Sequence, residues 1–350
     1  MLIGANSSGQ EDHMKHSDDF ANLLKNTVNL NQTRLDSLDS SVEAVFRVLK
    51  TDPGIGGRVT DKVPQGSWAH ETIVKPGDGH EYDADFLLRM NEEPDWHDTP
   101  KKYLDRVEGV LDGHGNYGKM PVEQKCRCVR LTYAGDFHLD IVPFVRLSDG
   151  TEWIVNGDDD DWEPTNPTGY TDWMHKRDKA SKGNLRKVVR LLKYLRDHRG
   201  WYPDTRSIIL TTLAGNQVTD TKTIIDPAYY ADLPTALLHI VSDLNAWLQA
   251  QRSRPHIEDP SAPGASFDHR WTDATYTELR DDIRTLAGLI DAAYHVGDAA
   301  ASRELWRDLF GTGFAAPAAG GSGAGSAGGA AAVGAFGAVP LVTGRPGRAG

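Results

Sequence analysis

The amino-acid sequence predicts an α+β fold, with a mixed sheet in the first half and a mostly helical second half. Two segments, around Tyr82 and around Phe137, alternate apolar and polar residues as strands do, whereas the second half has the period of helices. The chain has 350 residues, enough for about two domains at roughly 150 residues each. We therefore expect two units, 18–163 and 164–314, which meet at the acidic, proline-rich stretch 158–167.

The first predicted element is a helix whose most regular part runs from Thr33 to Lys50, and Pro53 and Gly54 end its pattern. Residues 1–17 are polar and without period, which predicts a disordered N-terminus. Leucine and valine recur along one face of the helix at helical spacing, at Leu35, Leu38, Val42, Val45 and Leu49.

Strands and turns are expected over 59–90, including a turn at Pro76–Gly79, and a helix is expected over 96–111. The run 125–147 predicts a hairpin about Ala134–Asp136, with Cys126 and Cys128 on one side of its first strand. In the second half, helices are predicted over 184–198, 234–251, 277–296 and 299–310.

Charge and composition exclude several classes of protein. With 38 Lys and Arg against 50 Asp and Glu, the net charge is −12, so a general DNA-binding protein is not expected. No apolar run reaches the ~18 residues of a membrane span, and the N-terminus lacks the features of a secretory signal. Two cysteines form at most one disulfide, which is too few to stabilise so long a chain. We expect a soluble, cytoplasmic protein.

The C-terminal stretch 315–350 is rich in glycine and alanine and is predicted to be a flexible appendage. From Gly311 to the end there are 13 Gly and two Arg but no acid, so the preceding body carries a net charge of −14. Two interpretations of the appendage stay open. It is either an extension without function or a segment whose terminal Gly350 is conjugated or bound.

Three aspartates carry the predicted chemistry. Asp83 and Asp85 stand two residues apart in a strand-like run, so both carboxylates share one face. Asp140 lies in a second apolar run, where an unpaired charge is costly. Three converging carboxylates repel one another, and two Mg²⁺ ions about 3.5–4 Å apart would remove that repulsion. The pattern therefore predicts a two-metal site for phosphoryl transfer.

Gly66 and Ser67 follow the first predicted strand, in a turn. A small turn of this kind lets backbone N–H groups approach a phosphate, with the serine hydroxyl as a further donor. Each motif alone is common, since a plain turn and a solvent-facing Asp-x-Asp pair are the ordinary interpretations. The order Gly-Ser, Asp-x-Asp and then a distant aspartate in an apolar strand is much more specific.

A positively charged stretch lies in the second half. From Lys176 to Arg206 there are 11 Lys and Arg against three Asp, a local excess of eight positive charges in an acidic chain. Arg186, Arg190 and Lys193 recur at helical spacing on a face distinct from the leucine and valine face. A solvated helix face is the ordinary interpretation of such a row, but beside the three aspartates we favour a functional role for it.

Together these motifs resemble the polymerase-β-type nucleotidyltransferase superfamily. The segments GSWAHETIVKP, EYDADFLL, YAGDFHLDIVPFV, TNPTGYTDWM and LRKVVRLLKYLRDHRG are similar to its cGAS-like branch, in particular to the bacterial oligonucleotide cyclases (CD-NTases) of the SMODS type. The resemblance spans 18–314, and only the 15 residues between Ser67 and Asp83 exceed the usual spacing. It implies a polymerase-β-like nucleotidyltransferase core with an N-terminal spine helix, followed by an oligoadenylate-synthase-like helical domain.

The resemblance also implies roles for individual residues. Asp83, Asp85 and Asp140 are expected to be catalytic and to bind two Mg²⁺ ions, with Mn²⁺ as a substitute. The donor nucleotide is expected to contact five residues, namely Gly66, Ser67, Lys193, Ser207 and Lys182. His138, on the face of Asp140, is expected to pack or donate a hydrogen bond rather than bind metal.

The implied activity begins when an acceptor ribose hydroxyl, deprotonated with the help of Asp140, attacks the α-phosphorus of a donor NTP and releases pyrophosphate. Repetition with ring closure would give a cyclic di- or trinucleotide messenger for anti-phage, CBASS-type signalling. Two alternatives share this chemistry, a linear oligonucleotide synthase and a nucleotidylating toxin. A third, from another class, is a non-catalytic nucleotide-binding or partner-binding module.

The implied partners are NTP substrates, with ATP as one of them, and no membrane. The resemblance implies that some relatives are switched by a HORMA-type activator and that some are joined to targets through their C-terminal residue, which here is Gly350. No residue in the sequence encodes the choice of base.

Overall fold

The computed structural model describes residues 15–77 and 80–314. The expectations for residues 1–14, for the end of the turn at Pro76–Gly79 and for the tail 315–350 with Gly350 lie outside the described residues. The strands are β1 Val59–Gln65, β2 Tyr82–Asn91, β3 Val122–Gln124, β4 Val129–Tyr133, β5 Phe137–Arg146, β6 Glu152–Asn156 and β7 Asp161–Pro164.

The helices begin with α1, Ser17–Leu23, which continues as a short π-helix over Leu24–Val28. The others are α2 Gln32–Thr51, α3 Gly66–Ala69, α4 Lys101–Gly113, α5 Pro167–Ala180, α6 Leu185–Arg199, α7 Ser207–Asn216, α8 Asp220–Ile225, α9 Leu233–Ala250, α10 Asp273–His295 and α11 Ala299–Phe310. Strands fill the first half and helices the second, so the predicted α+β class is confirmed.

The described strands form one seven-stranded sheet in the order β1-β2-β5-β4-β3, with β6 paired to β5 and β7 to β6. Strands β2 and β5 run parallel, whereas their other neighbours pair antiparallel. The predicted hairpin is present, since Tyr133 pairs with Phe137 across the turn at Ala134–Asp136. The parallel pair at the centre of the sheet fixes which side chains of β2 and β5 lie next to each other.

One side of the sheet is apolar and is covered by α2 and α4. Tyr82, Ala84 and Phe86 of β2 are buried there, while Asp83 on the other side is exposed, as period-2 alternation predicts. The predicted stripe of α2 packs against this side, with four of its five members fully buried: Leu38, Val42, Val45 and Leu49. We call the sheet with α2 and α4 the core lobe.

Helices α5 to α7 and α9 to α11 surround a second apolar core, and we call this part, together with α8, the helical lobe. Helix α1 belongs to it by packing, because Phe20 lies edge-on against Trp306, Phe310 and Phe314 at centroid distances of 5.0, 5.8 and 4.9 Å. The division of the chain into 18–163 and 164–314 stays a proposal. The packing supports a boundary near residue 164 but places residues 17–28 with the second unit.

Several local predictions are wrong. The helix expected over 96–111 spans Lys101–Gly113. The disorder expected for 1–17 does not hold at its described end, where Lys15 donates to Asp232 and Ser17 begins α1. Cys126 and Cys128 lie in the turn between β3 and β4, because the Lys125 N–H donates to the Cys128 carbonyl at 2.8 Å and closes a tight turn. The helix expected from residue 277 begins at Asp273, where the Thr272 side chain caps its first turn. In the parts of the chain that the structure describes, no helix is both long and apolar enough to cross a membrane.

Candidate active site

The three predicted aspartates meet at the centre of the sheet. The parallel register places Asp85 of β2 directly beside Asp140 of β5, and Asp83 lies two residues earlier on the same face. Asp140 is buried, Asp85 is half-buried, and the Asp83 side chain is 62% exposed at the open side. The structure therefore brings together all three carboxylates that the sequence singled out.

A fourth charged residue, Arg130, lies among the carboxylates. It sits on β4 opposite Asp140 and donates from Nε and Nη2 to the two carboxylate oxygens at 2.7 and 2.8 Å. Its Nη2 also lies 3.2 Å from Oδ1 of Asp83. The hydrogen bond to Asp140 raises the pKa of Arg130 above its usual range, so this guanidinium is a permanent cation.

Sequence reasoning missed Arg130, although a signal was present. The turn at Ala134–Asp136 makes Tyr133 the partner of Phe137, and counting back along the hairpin then makes Arg130 the partner of Asp140. An arginine on a strand directly opposite a buried aspartate is the expected counter-charge.

The electrostatics of Asp85 show that the carboxylates are crowded. Burial, followed by the neighbouring charges of Asp140 and Asp83, raises the pKa of Asp85 to about 7. Gly66 approaches the same carboxylate, and a β-carbon at this position would lie 2.8 Å from Oδ2 of Asp85. Its φ of +59° is a second reason for glycine here.

His138 lies beside the site, with its two ring nitrogens close to two carboxylates, rather than packing in the core. Its Nδ1 lies 3.3 Å from Oδ1 of Asp83 and its Nε2 lies 2.7 Å from Oε2 of Glu81. The contact with Asp83, rather than with Asp140, follows from the register, which pairs residues 83 and 138. His138 therefore orients Asp83, the most exposed of the three carboxylates.

The carboxylates fit divalent cations by their chemistry. Three oxygen-bearing side chains converge, and burial, followed by the charges of Asp140 and Asp83, raises the pKa of Asp85. Within residues 15–77 and 80–314, no three Asp, Glu, His or Cys side chains are already arranged as the ligands of one ion. Arg130 lies between two of them instead.

The Gly66–Ser67 segment opens the one-turn helix α3 at the end of β1, on the same edge as Asp83 and Asp85. The loop closes when the Thr72 N–H donates to the Ser67 carbonyl at 2.8 Å. Glu71, just before, adopts a left-handed φ of +54°, which is uncommon for a residue with a side chain. We call residues 66–72 the Gly-Ser loop.

The basic row on α6, made of Arg186, Arg190 and Lys193, contacts the end of the Gly-Ser loop. Lys193 Nζ donates to the Thr72 carbonyl at 3.0 Å and to its hydroxyl at 3.2 Å, and Arg190 Nη1 donates to the Glu71 carbonyl at 3.2 Å. Arg186 pairs with the Glu71 carboxylate at 2.9 Å. Burial, with the nearby Arg196, lowers the pKa of Lys193 to about 7.

Two of the predicted nucleotide contacts lie elsewhere in the helical lobe. Ser207 begins α7, and its hydroxyl accepts a hydrogen bond from Arg196 Nη1 at 3.0 Å. Lys182 lies in the turn before α6 and donates to the Pro227 carbonyl at 2.6 Å. The structure thus joins Lys193 to the Gly-Ser loop, while the ammonium of Lys182 is engaged by another segment.

Comparison with known proteins gives a family match and several relatives. Residues 14–178 match the model of the SMODS family, the Second Messenger Oligonucleotide or Dinucleotide Synthetase domain. A c-di-GMP synthase from Roseivirga ehrenbergii is 31% identical over 61% of this chain and 62% of its own length. A cyclic AMP-AMP-AMP synthase from an Acinetobacter species is 24% identical over 89% of this chain and 88% of the relative. The chain thus spans about three fifths of the first relative.

Two solved structures share the fold. The CD-NTase CdnG of Bradyrhizobium diazoefficiens in complex with GTP has a TM-score of 0.64 at 21% identity, covering 89% of this chain and 97% of that one. The complex of CdnC from E. coli MS115-1 with HORMA-deltaN has a TM-score of 0.63 at 18% identity, covering 85% and 98%. At these identities the likeness establishes the fold.

Proposed function

We propose that this chain is a cGAS-like nucleotidyltransferase of the CD-NTase type and that it makes a cyclic oligonucleotide messenger, since residues 14–178 match the SMODS family model. It would join NTPs into a cyclic di- or trinucleotide and release pyrophosphate, in anti-phage signalling. The observation that carries this proposal is the meeting of Asp83, Asp85 and Asp140 on two parallel strands beside the Gly-Ser loop.

Asp83, Asp85 and Asp140 would hold the divalent cations, which we propose are two Mg²⁺ ions, with Mn²⁺ able to replace them. When bound, such ions neutralise charge on the phosphates and stabilise the oxygens that attack and leave. The convergence of the three carboxylates on neighbouring strands supports this assignment. His138 would keep Asp83 oriented, since it contacts that carboxylate directly.

Asp140 would accept the proton of the acceptor ribose hydroxyl, because it is the carboxylate on the strand next to the Asp-x-Asp pair. The hydroxyl oxygen then forms a bond to the α-phosphorus of the donor, and the bond between the α-phosphorus and the bridging oxygen breaks. Pyrophosphate carries away the electron pair of that bond. A second round at the same centre would close the ring.

The donor triphosphate would lie on the Gly-Ser loop. Backbone N–H groups of Gly66 and Ser67 begin a helical turn there, and Lys193 places a cation against the end of the loop. We keep Ser207 and Lys182 as weaker proposals for nucleotide contact. Ser207 is linked to this region through Arg196, whose charge acts on Lys193, whereas Lys182 contacts Pro227.

The deciding experiment incubates the purified protein with labelled NTPs, singly and in mixtures, with Mg²⁺ or Mn²⁺, followed by phosphatase digestion and mass spectrometry. We expect a phosphatase-resistant product whose mass identifies the bases and the ring size. A product that phosphatase degrades would instead identify a linear synthase, and label on protein would identify a nucleotidylating toxin. No product with any mixture would contradict the proposed enzyme.

We further propose that NTPs, with ATP among them, are the substrates and that a HORMA-type protein is a candidate activator. The solved relatives support this proposal, since one is in complex with GTP and another with HORMA-deltaN. Conjugation of Gly350 to a partner is kept as a separate proposal. Truncating the chain after residue 314 should leave synthesis by the purified protein unchanged but abolish any adduct at Gly350.

A further inference from the structure

Arg130 is engaged by two of the three carboxylates that are expected to bind metal. Its guanidinium occupies both oxygens of Asp140, at 2.7 and 2.8 Å, and its Nη2 also reaches Asp83 at 3.2 Å. We propose that Arg130 is a built-in counter-cation, which holds Asp83 and Asp140 in the metal-free protein and is exchanged for the divalent ions as the site fills. This inference rests on the proposed function.

The geometry of the contact argues for exchange. A carboxylate whose two oxygens both accept from one guanidinium presents fewer lone pairs to an incoming ion. The same guanidinium also spans Asp83 and Asp140, so it lies in the region that an ion bridging the two carboxylates would occupy. Accordingly, in the described part of the chain, no three side chains are already placed to bind one metal ion together.

Arg130 has room to leave. Its side chain is 26% exposed, so the guanidinium reaches solvent without disrupting the core, while the β4 backbone stays paired with β5. In contrast, Asp140 is buried and cannot turn outward to meet an ion. Movement of the arginine, rather than of the aspartate, is therefore the step that opens the site.

Three roles for Arg130 predict three different results when its charge is removed. If it only braces β4 against β5, the stability of the fold changes but metal affinity does not. If it holds Asp140 in a ligating position, metal binding becomes weaker. If it is a counter-cation that must be displaced, metal binding becomes tighter, because the cost of breaking its contacts disappears.

The test is a titration of the full-length protein with Mn²⁺ in the absence of nucleotide, with free Mn²⁺ followed by electron paramagnetic resonance. For Arg130→Gln we expect the dissociation constant to fall about tenfold, equivalent to ~1.4 kcal/mol. Arg130→Lys keeps the charge but loses the paired hydrogen bonds to both oxygens of Asp140. For this variant we expect the dissociation constant for Mn²⁺ to fall about threefold.

The matched control is Arg127→Gln, which removes the same charge three residues away. Arg127 pairs with Glu163 at 2.7 Å, so its loss should leave the Mn²⁺ affinity within about twofold of the wild type. Circular dichroism verifies that each variant is folded. If Arg130→Gln does not fold, the comparison is made with Arg130→Lys.

Unchanged or weaker Mn²⁺ binding in the folded Arg130 variants would overturn the inference and leave the proposed enzyme intact. A tightening as large in Arg127→Gln would also overturn it, since general charge would then be the cause. If instead the wild type binds no Mn²⁺, or binds it equally well as the Asp83→Asn, Asp85→Asn double variant, the metal site of the proposed function is wrong.

Discussion

The carboxylate cluster of the core lobe and the basic row of the helical lobe are built in opposite ways. Asp83, Asp85 and Asp140 crowd one another, and a single guanidinium serves two of them. On α6, by contrast, Lys193 and Arg190 each donate a hydrogen bond to a backbone carbonyl of the Gly-Ser loop. The core lobe thus concentrates negative charge, whereas the helical lobe uses its basic side chains to hold the Gly-Ser loop.

The largest effect is expected from removing the carboxylates. Asp83→Asn with Asp85→Asn should lower product formation at least ~10³-fold, or about 4 kcal/mol, because the cations lose two of three ligands. Pyrophosphate release measures it. Asp61→Asn is the matched control, since Asp61 is an exposed aspartate of β1 whose side chain bonds to the neighbouring Lys62 N–H. Unchanged synthesis in the double variant would show that the carboxylate cluster of the core lobe does not hold the cations that catalysis needs.

The next largest effect tests the basic row. Lys193→Met should reduce kcat/KM for NTP by about 30-fold, because the Gly-Ser loop loses the ammonium that holds Thr72. Lys187→Met on the same helix is the control, as its Nζ contacts Asn184 instead. Equal losses in the two variants would show that α6 acts only through its net charge.

The crowding of the carboxylates has a measurable effect on stability without metal. The pKa of Asp85 is raised to about 7, above its value in the unfolded chain, so its contribution is present at low pH and is lost as pH rises through 7. In EDTA at pH 8, the free energy of unfolding of Asp85→Asn should therefore be ~2 kcal/mol higher than that of the wild type, with little difference at pH 4. Urea denaturation at both pH values measures this.

The same comparison with Asp61→Asn, an exposed group, should show no such gain at pH 8. If Asp85→Asn is no more stable than the wild type there, the carboxylates are already neutralised in the metal-free protein. The contrast between the two lobes would then be smaller than the structure indicates.

The smallest effect is expected at Ser207. Its hydroxyl accepts from Arg196, which also donates to the Thr205 carbonyl at 2.9 Å, so Ser207→Ala leaves that arginine with a partner. We expect KM for NTP to rise about threefold, with kcat unchanged. A loss of tenfold or more in steady-state kinetics would show that Ser207 touches the nucleotide itself.

The core-lobe site was the more predictable part of the molecule. Alternation of period 2 places Asp83 and Asp85 on one face, and the apolar run around Asp140 marks a central strand. The meeting of these strands depends on a parallel pairing, which local pattern does not determine. Arg130 was overlooked because its role appears only once the register of the hairpin is worked out.

The helical lobe was less predictable because its contacts join distant segments. Helical spacing finds the row that contains Lys193, but it does not show that the ammonium lies on Thr72. Nor does a count of charges distinguish Lys193 from Lys182, which contacts Pro227. The packing of Phe20 against Trp306 joins the two ends of the described chain, and no periodicity encodes such a pairing.

That last contact has a mechanical consequence. Since α1 packs in the helical lobe and α2 in the core lobe, the described chain passes between the lobes at residues 29–31 and again at 165–166, and Val74 of the segment between β1 and β2 also packs in the core of the helical lobe. The first crossing is paired with that segment, because Asn29 bridges to Val74 and the Lys75 N–H donates to the Val28 carbonyl at 2.8 Å. We therefore expect these joined segments to limit movement between the lobes and to keep Lys193 close to the Gly-Ser loop.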